Sequence, residues 1–246
     1  MLPGRINLRT LLFFLACLNA TGVVSQPRST SVGICYRPVF PVAFLGTGED
    51  RTVNEGVNYT LGLDRGFSGG MVVRRGWTSS LSLEAGINYT KRSYTYSITD
   101  SSQSFMDRFR LVGYEVPVSL LAFVQLGENI FMNASLGAGI DAIASSVATK
   151  TGYYEQVAIK RHTFNPSLNA NLGWEFRSRA SGTFYLGATY HRPFGEICVN
   201  SVLYGTGNDE RVFNNLISGS YLTADIRYYF KNETDKVRPK TNRRKK

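Results

Sequence analysis

Histidine and cysteine are scarce in this chain of 246 residues, which has two of the first, His162 and His191, and three of the second, Cys17, Cys35 and Cys198. No paired spacing of the kind that holds a metal occurs, and no cofactor is expected. Long apolar runs are missing too. No stretch approaches the ~20 apolar residues that a membrane-spanning helix needs, so any passage through a bilayer must be made by strands. Concentrated charge is absent from the body of the chain. The formal net charge is +10, but the first 25 residues hold +2 and residues 231–246 hold +6, leaving +2 between them. That division removes the main support for nucleic acid as a partner.

The first 25 residues read as a secretory leader. Arg5 and Arg9 precede the apolar run Leu11 to Leu18, and small residues follow, with cleavage after Ser25 or Ala20. Residues 26–230 show no break in composition and suit one β-domain. Residues 231–246, including Lys240, Arg243, Arg244, Lys245 and Lys246, are expected to form a disordered basic tail in the periplasm.

The clearest pattern lies between Phe164 and Phe194. Every second residue gives Phe164, Pro166, Leu168, Ala170, Leu172, Trp174 and Phe176, and the row between is Asn165, Ser167, Asn169, Asn171, Gly173, Glu175 and Arg177. A period of two is a strand. After a polar connection the alternation resumes with Phe184, Leu186, Ala188 and Tyr190, forming a hairpin with one apolar and one polar row. Soluble and membrane barrels share this alternation and differ in which row faces outward. The polar row holds Gly, Asn, Ser and Thr but no lysine, which suits a crowded lumen better than a water-facing wall. Trp174 and Phe176, with Tyr228 and Phe230 on the last strand, fall where an aromatic girdle would meet the periplasmic headgroups.

Counting such segments gives an all-β fold, an eight-stranded antiparallel up-and-down transmembrane β-barrel. The strands are expected over 31–46, 57–77, 79–99, 108–127, 130–150, 161–177, 183–198 and 216–230. Short turns alternate with long loops over 47–56, 100–107, 151–160 and 199–215, the layout of an outer-membrane barrel with both termini in the periplasm. Cys35 and Cys198 then lie at opposite ends, so no bridge is expected. The inward row gathers Arg37, Arg74, Glu84, Glu115, Asp141, Glu175, Arg177, His191, Asp225 and Arg227. Buried charges need partners, so these should form an ion-pair network. Flipping the register would cost about 2–4 kcal/mol for each cation at mid-membrane. A few such terms reach the 5–15 kcal/mol or so of a typical net stability.

Four segments resemble the PorT-like outer-membrane β-barrel family of the Bacteroidota: Gly66 to Gly70, Leu81 to Tyr89, Tyr114 to Leu121 and the closing Ile226 to Phe230. The resemblance implies an integral outer-membrane protein without known catalytic residues, in a family linked to type IX secretion and gliding. The expectation is therefore a non-enzymatic barrel, structural or accessory to an envelope assembly. Its partners would be outer-membrane lipid and envelope proteins met through the long loops or the basic tail. Two alternatives are weighed against it. A lipid-modifying enzyme would need His162 with Ser145, Ser146, Ser167 or Glu155 at the outer rim. A soluble periplasmic barrel would carry the same alternation with its apolar row inside.

Overall fold

The computed structural model describes residues 30–42, 49–54, 56–78, 80–144, 146–178, 181–205 and 210–231. The expected leader, and the basic tail with Lys240, Arg243, Arg244, Lys245 and Lys246, lie outside them. The strands are β1 (Thr30–Phe40), β2 (Asp50–Asn54), β3 (Val57–Gly76), β4 (Leu81–Thr99), β5 (Ser104–Gln125), β6 (Ile130–Ile143), β7 (Val147–Lys150), β8 (Tyr154–Lys160), β9 (Phe164–Ser178), β10 (Gly182–Pro193), β11 (Cys198–Tyr204), β12 (Arg211–Ile217) and β13 (Tyr221–Tyr229).

Eight of them close a ring in the order β1, β3, β4, β5, β6, β9, β10, β13, each antiparallel to its neighbours. The seam is the long pairing of β1 with β3, from Thr30 opposite Arg75 to Val39 opposite Gly66. In the membrane half of the ring, polarity runs as composition requires. Leu172 and Trp174 are 53% and 54% exposed on the outside, while Glu175 and Asp225 are 2% and 0% exposed within. This excludes the soluble barrel, whose apolar row would be the buried one. The outward row of β9 runs from Phe164 to Phe176, about 40 Å of strand at ~3.3 Å per residue. Tilted by about 40°, it spans about 30 Å, the thickness of a hydrocarbon core.

Above that band the ring strands reverse their polarity. Along β4 the inward row begins Ser82, Glu84, Asn88, Thr90 and Arg92, then becomes Tyr94, Tyr96 and Ile98. The outward row begins Leu83, Ala85, Ile87 and Tyr89, then becomes Lys91, Ser93, Thr95 and Ser97. Strand β5 does the same, with Arg108 and Arg110 outside and Phe109 and Leu111 inside. On β3 a bulge between Leu63 and Gly66 shifts the inward positions from odd to even numbers at this level. Lipid requires the first pattern and water the second, so the reversal marks the upper edge of the bilayer.

The second sheet was not expected. Strands β12, β11, β8 and β7 pair in that order, separately from the ring. They occupy the expected loops 151–160 and 199–215, and they take the ends of three expected ring strands. The fifth ring strand stops at Ile143 rather than Lys150, the seventh at Pro193 rather than Cys198, and the eighth starts at Tyr221 rather than Leu216. The first stops at Phe40, and 43–48 lie outside the described residues. The cause is burial. Tyr154, Ala158, Cys198, Val202, Tyr204, Phe213 and Ile217 alternate along the second sheet and pack against Tyr59, Leu61, Tyr94, Tyr96, Ile98 and Phe109 of the ring in one apolar cluster. Beyond the membrane the protein is thus a sandwich of two sheets that closes the mouth of the barrel.

Candidate functional site

All ten side chains expected in the lumen point into it, and the structure joins them in two tiers. In the lower tier Arg74 donates from Nε to Glu84 (3.0 Å), from Nη1 to Glu175 (2.6 Å) and from Nη2 to the Tyr229 hydroxyl (2.5 Å), with its guanidinium 3.9 Å above the Tyr229 ring. Arg227 bridges Glu84 (2.7 Å) and Asp225 (2.5 Å), Arg37 lies 3.3 Å from Asp225, and Arg177 donates to Glu175 at 2.6 Å. Arg177 also stacks on Phe131 and Phe123 at the short-turn end, 3.8 and 5.0 Å from their ring centres. That stacking gives the lumen an apolar floor.

In the upper tier Glu115 accepts from Arg92 at 2.9 Å and from the Tyr221 hydroxyl at 2.7 and 2.8 Å. His191 lies between Asp141 Oδ2 on Nε2 and Asn169 Oδ1 on Nδ1, both at 2.7 Å, and stacks on Tyr221 with ring centres 4.6 Å apart. Ser167 donates to the other oxygen of Asp141 at 3.0 Å. Arg92 and Tyr221 were missed from the sequence. Arg92 shares the parity of Glu84, and continuing that inward row by one step beyond Thr90 would have found it. Between the tiers, Asn171, Thr189 and Thr223 hydrogen-bond around Asp225 beside a cavity of about 30 Å³. That volume suits one or two water molecules.

Glu115, Asp141 and His191 bring ligand atoms within 4.8 Å of one another, the geometry a metal could use. Each already has protein partners, and the Arg92 guanidinium stands against Glu115. The trio therefore reads as part of the hydrogen-bond network of the lumen. The packing here leaves no room for added bulk. A Cβ at Gly187 would fall on the Tyr185 hydroxyl, which lies along the β9–β10 wall over Gly187 and Gly173 to donate to Asn171 Oδ1 at 2.7 Å.

The residues considered for catalysis are not brought together. Ser167 is buried in the lumen on Asp141, whereas His162 is exposed between β8 and β9, its carbonyl accepting from Asn165. Ser146 Oγ accepts from the Lys160 amide, Glu155 pairs with Lys150, and Ser145 lies outside the described residues.

Two aromatic belts edge the lipid face. At the short-turn end Trp174, Phe176 and Phe230 are exposed, and the half-buried Tyr228 packs at a tilt against Phe184 (4.9 Å) and edge-on against Phe230 (5.2 Å). At the other end, unforeseen from sequence, Tyr36, Phe67, Tyr89 and Tyr114 make successive contacts of 5.9–6.2 Å across β1, β3, β4 and β5. This upper belt sits where the polarity of the strands reverses.

The sandwich is tied together by polar contacts outside the membrane. Asn200 donates to the Tyr59 hydroxyl at 2.6 Å, Asn215 to Asp50 at 2.7 Å, Tyr154 to Asp107 at 2.9 Å and Tyr204 to Asp100 at 2.5 Å. The Tyr204 hydroxyl and the amides of Ser102 and Gln103 hold the Asp100 carboxyl well below the usual carboxylate range. The same bond, with burial, pushes Tyr204 up to about 12. Burial lifts the Cys198 thiol to about 11, and both Cys35 and Cys198 are free.

No protein-family model and no curated protein matches the sequence. Two solved structures are similar in architecture. The outer membrane protein OprG from Pseudomonas aeruginosa is 9% identical with a TM-score of 0.48, over 82% of this chain and 96% of its own. The β-domain of the Bordetella autotransporter BrkA is 8% identical with a TM-score of 0.22, over 83% of this chain and 100% of its own. With its lipid-facing apolar wall, sealed charged interior and two aromatic belts, the chain is a bacterial outer-membrane β-barrel with eight strands across the bilayer.

Proposed function

We propose that this barrel conducts nothing and catalyses nothing, and serves as a structural or accessory subunit of an envelope assembly. The observation that carries the reading is the filling of the lumen. From the Arg177 floor to the aromatic core of the cap, most inward residues are buried, and the ten charged ones are tied into ion pairs and hydrogen bonds. Eight strands leave an interior that side chains can fill. The protein is therefore a rigid post with a folded head, and the head offers a surface. The outer face of the second sheet carries Ile159, Val212 and Leu216, all more than half exposed. An apolar face beyond the bilayer suits an envelope protein partner. The PorT-like motifs support a place near type IX secretion or gliding, with the basic tail as a second, periplasmic contact. Long connections on the capped side support placing that side outside the cell.

Reconstitution into planar bilayers tests the sealed lumen, and no unit conductance step is expected. Steps of porin size would overturn the reading. Affinity isolation from membranes, with and without residues 231–246, is expected to recover an envelope protein. The enzyme alternative predicts an altered lipid A mass profile for His162→Ala, and an unchanged profile is expected.

A further inference from the structure

The outward face of β3, β4 and β5 carries cations at one level. Arg65 is 92% exposed, Arg110 is exposed and Lys91 is half-buried, and no acidic residue lies within ion-pair distance of Lys91 or Arg110 among the described residues. Lys91 is opposite Phe67 on β3 and Val112 on β5, and Arg110 is opposite Ser93. The cluster therefore stands on the Phe67–Tyr89–Tyr114 part of the upper aromatic belt, at the level where side chains leave hydrocarbon for water. One carboxylate is near: Asp64 is 4.0 Å from Arg65 and 3.7 Å from Arg108. Directly above, the same face opens into a groove of about 490 Å³, with Thr60, Thr95 and Ser97 on its floor and Glu49, Asp64 and Arg108 at its sides.

Three chemistries are thus stacked along the membrane normal: an aromatic and aliphatic wall, an arginine and lysine tier, and a hydroxyl-floored groove. An amphiphile with acyl chains, phosphates and sugars in that order matches them. We propose that this face binds one phosphorylated glycolipid of the outer leaflet, of the lipid A type. Acyl chains would lie on Phe67, Tyr89, Tyr114 and Val112, phosphate would take Arg65, Lys91 and Arg110, and the sugar would enter the groove. Arginine suits phosphate because its planar fork can donate two parallel hydrogen bonds. The geometry also discriminates against a glycerophospholipid, which has no sugar to fill the groove.

The inference rests on the capped end facing outward, and the test separates the two claims. Native mass spectrometry of the full-length protein in detergent is run with bisphosphorylated lipid A, dephosphorylated lipid A and phosphatidylglycerol. One lipid A is expected to bind. Arg65→Gln/Lys91→Gln/Arg110→Gln should weaken it about 100-fold, taking near-surface cations as roughly equal contributors. Arg110→Gln alone should weaken it about fivefold, and Lys160→Gln/Arg161→Gln/Arg192→Gln should leave it unchanged. Equal binding of phosphatidylglycerol, equal binding of dephosphorylated lipid A, or equal loss in the control variant would overturn the proposal. A cysteine at the exposed Gly152 in the β7–β8 turn, G152C, which lies outside the groove lining and has open space around its Cβ, is also tested with an impermeant maleimide on intact cells. Labelling without lipid A binding sinks this inference alone, and a protected cysteine sinks the outward orientation and the inference together.

Discussion

Leu136 gives the sharpest test of which face meets lipid. It pairs with Ala170, midway between Phe164 and Phe176 on β9, and with Leu120 on β5, so it lies near the bilayer midplane. Its side chain is 65% exposed to whatever surrounds the barrel. If that medium were water, Leu136→Arg would be a surface substitution, worth no more than about 0.5 kcal/mol either way. If it is hydrocarbon, the guanidinium must snorkel or thin the membrane, and the cost is about 2–4 kcal/mol. The two expectations differ severalfold, well outside the error of a denaturant titration. Reversible folding into lipid vesicles, followed by the fluorescence of Trp77 and Trp174, measures the difference. Trp174 is exposed on the barrel wall and Trp77 in the short turn at its lower edge, so insertion should shift their emission to the blue. A change below about 0.5 kcal/mol would refute the assignment of the wall to lipid. The same substitution should behave alike at low and high salt, since the cost comes from desolvation rather than from charge pairing.

Three further outcomes follow from the interior and the cap. Arg74→Ala should destabilise the barrel by about 3 kcal/mol, the low end for a broken buried pair, because Glu84 keeps Arg227 and Glu175 keeps Arg177; urea midpoints unchanged from wild type would contradict the network. Gly187→Ala should cost about 1–3 kcal/mol by displacing the Tyr185 hydroxyl from Asn171, seen as a lower temperature for loss of the compact gel band. Because the carboxyl of Asp100 is depressed in the folded protein, its contribution to holding β11 is present above the ordinary carboxylate pKa of about 3.9 and is lost as pH falls below it. Hydrogen exchange over 198–204 should therefore quicken on acidification in wild type and be less pH-dependent in Asp100→Asn, whereas identical profiles would remove Asp100 from the account.

Fold and orientation were legible because lipid imposes a strict rule on long strands. The alternation of Phe164 to Phe176, and a polar row without lysine, were enough to seat Glu175 inside and Trp174 outside. What escaped notice lies above the bilayer, where that rule lapses. In 198–204 the buried row is Cys198, Asn200, Val202 and Tyr204, while Val199 and Leu203 fill the other, so both rows are part apolar and the period is blurred. The Asn, Gly and Tyr content then suggested a loop. The bulge after Leu63 hid a change of parity that no local pattern announces. The upper belt was missed because Tyr36, Phe67, Tyr89 and Tyr114 are far apart in sequence and meet only through pairing.

The cap draws its strands from two excursions of the chain, β7 with β8 and β11 with β12, separated by β9 and β10. Its central pairing, β8 with β11, joins the two. Each excursion can close as a hairpin on its own chain, but β8 can meet β11 beyond the membrane only once both have been delivered there, which makes completion of the lid a late event in assembly.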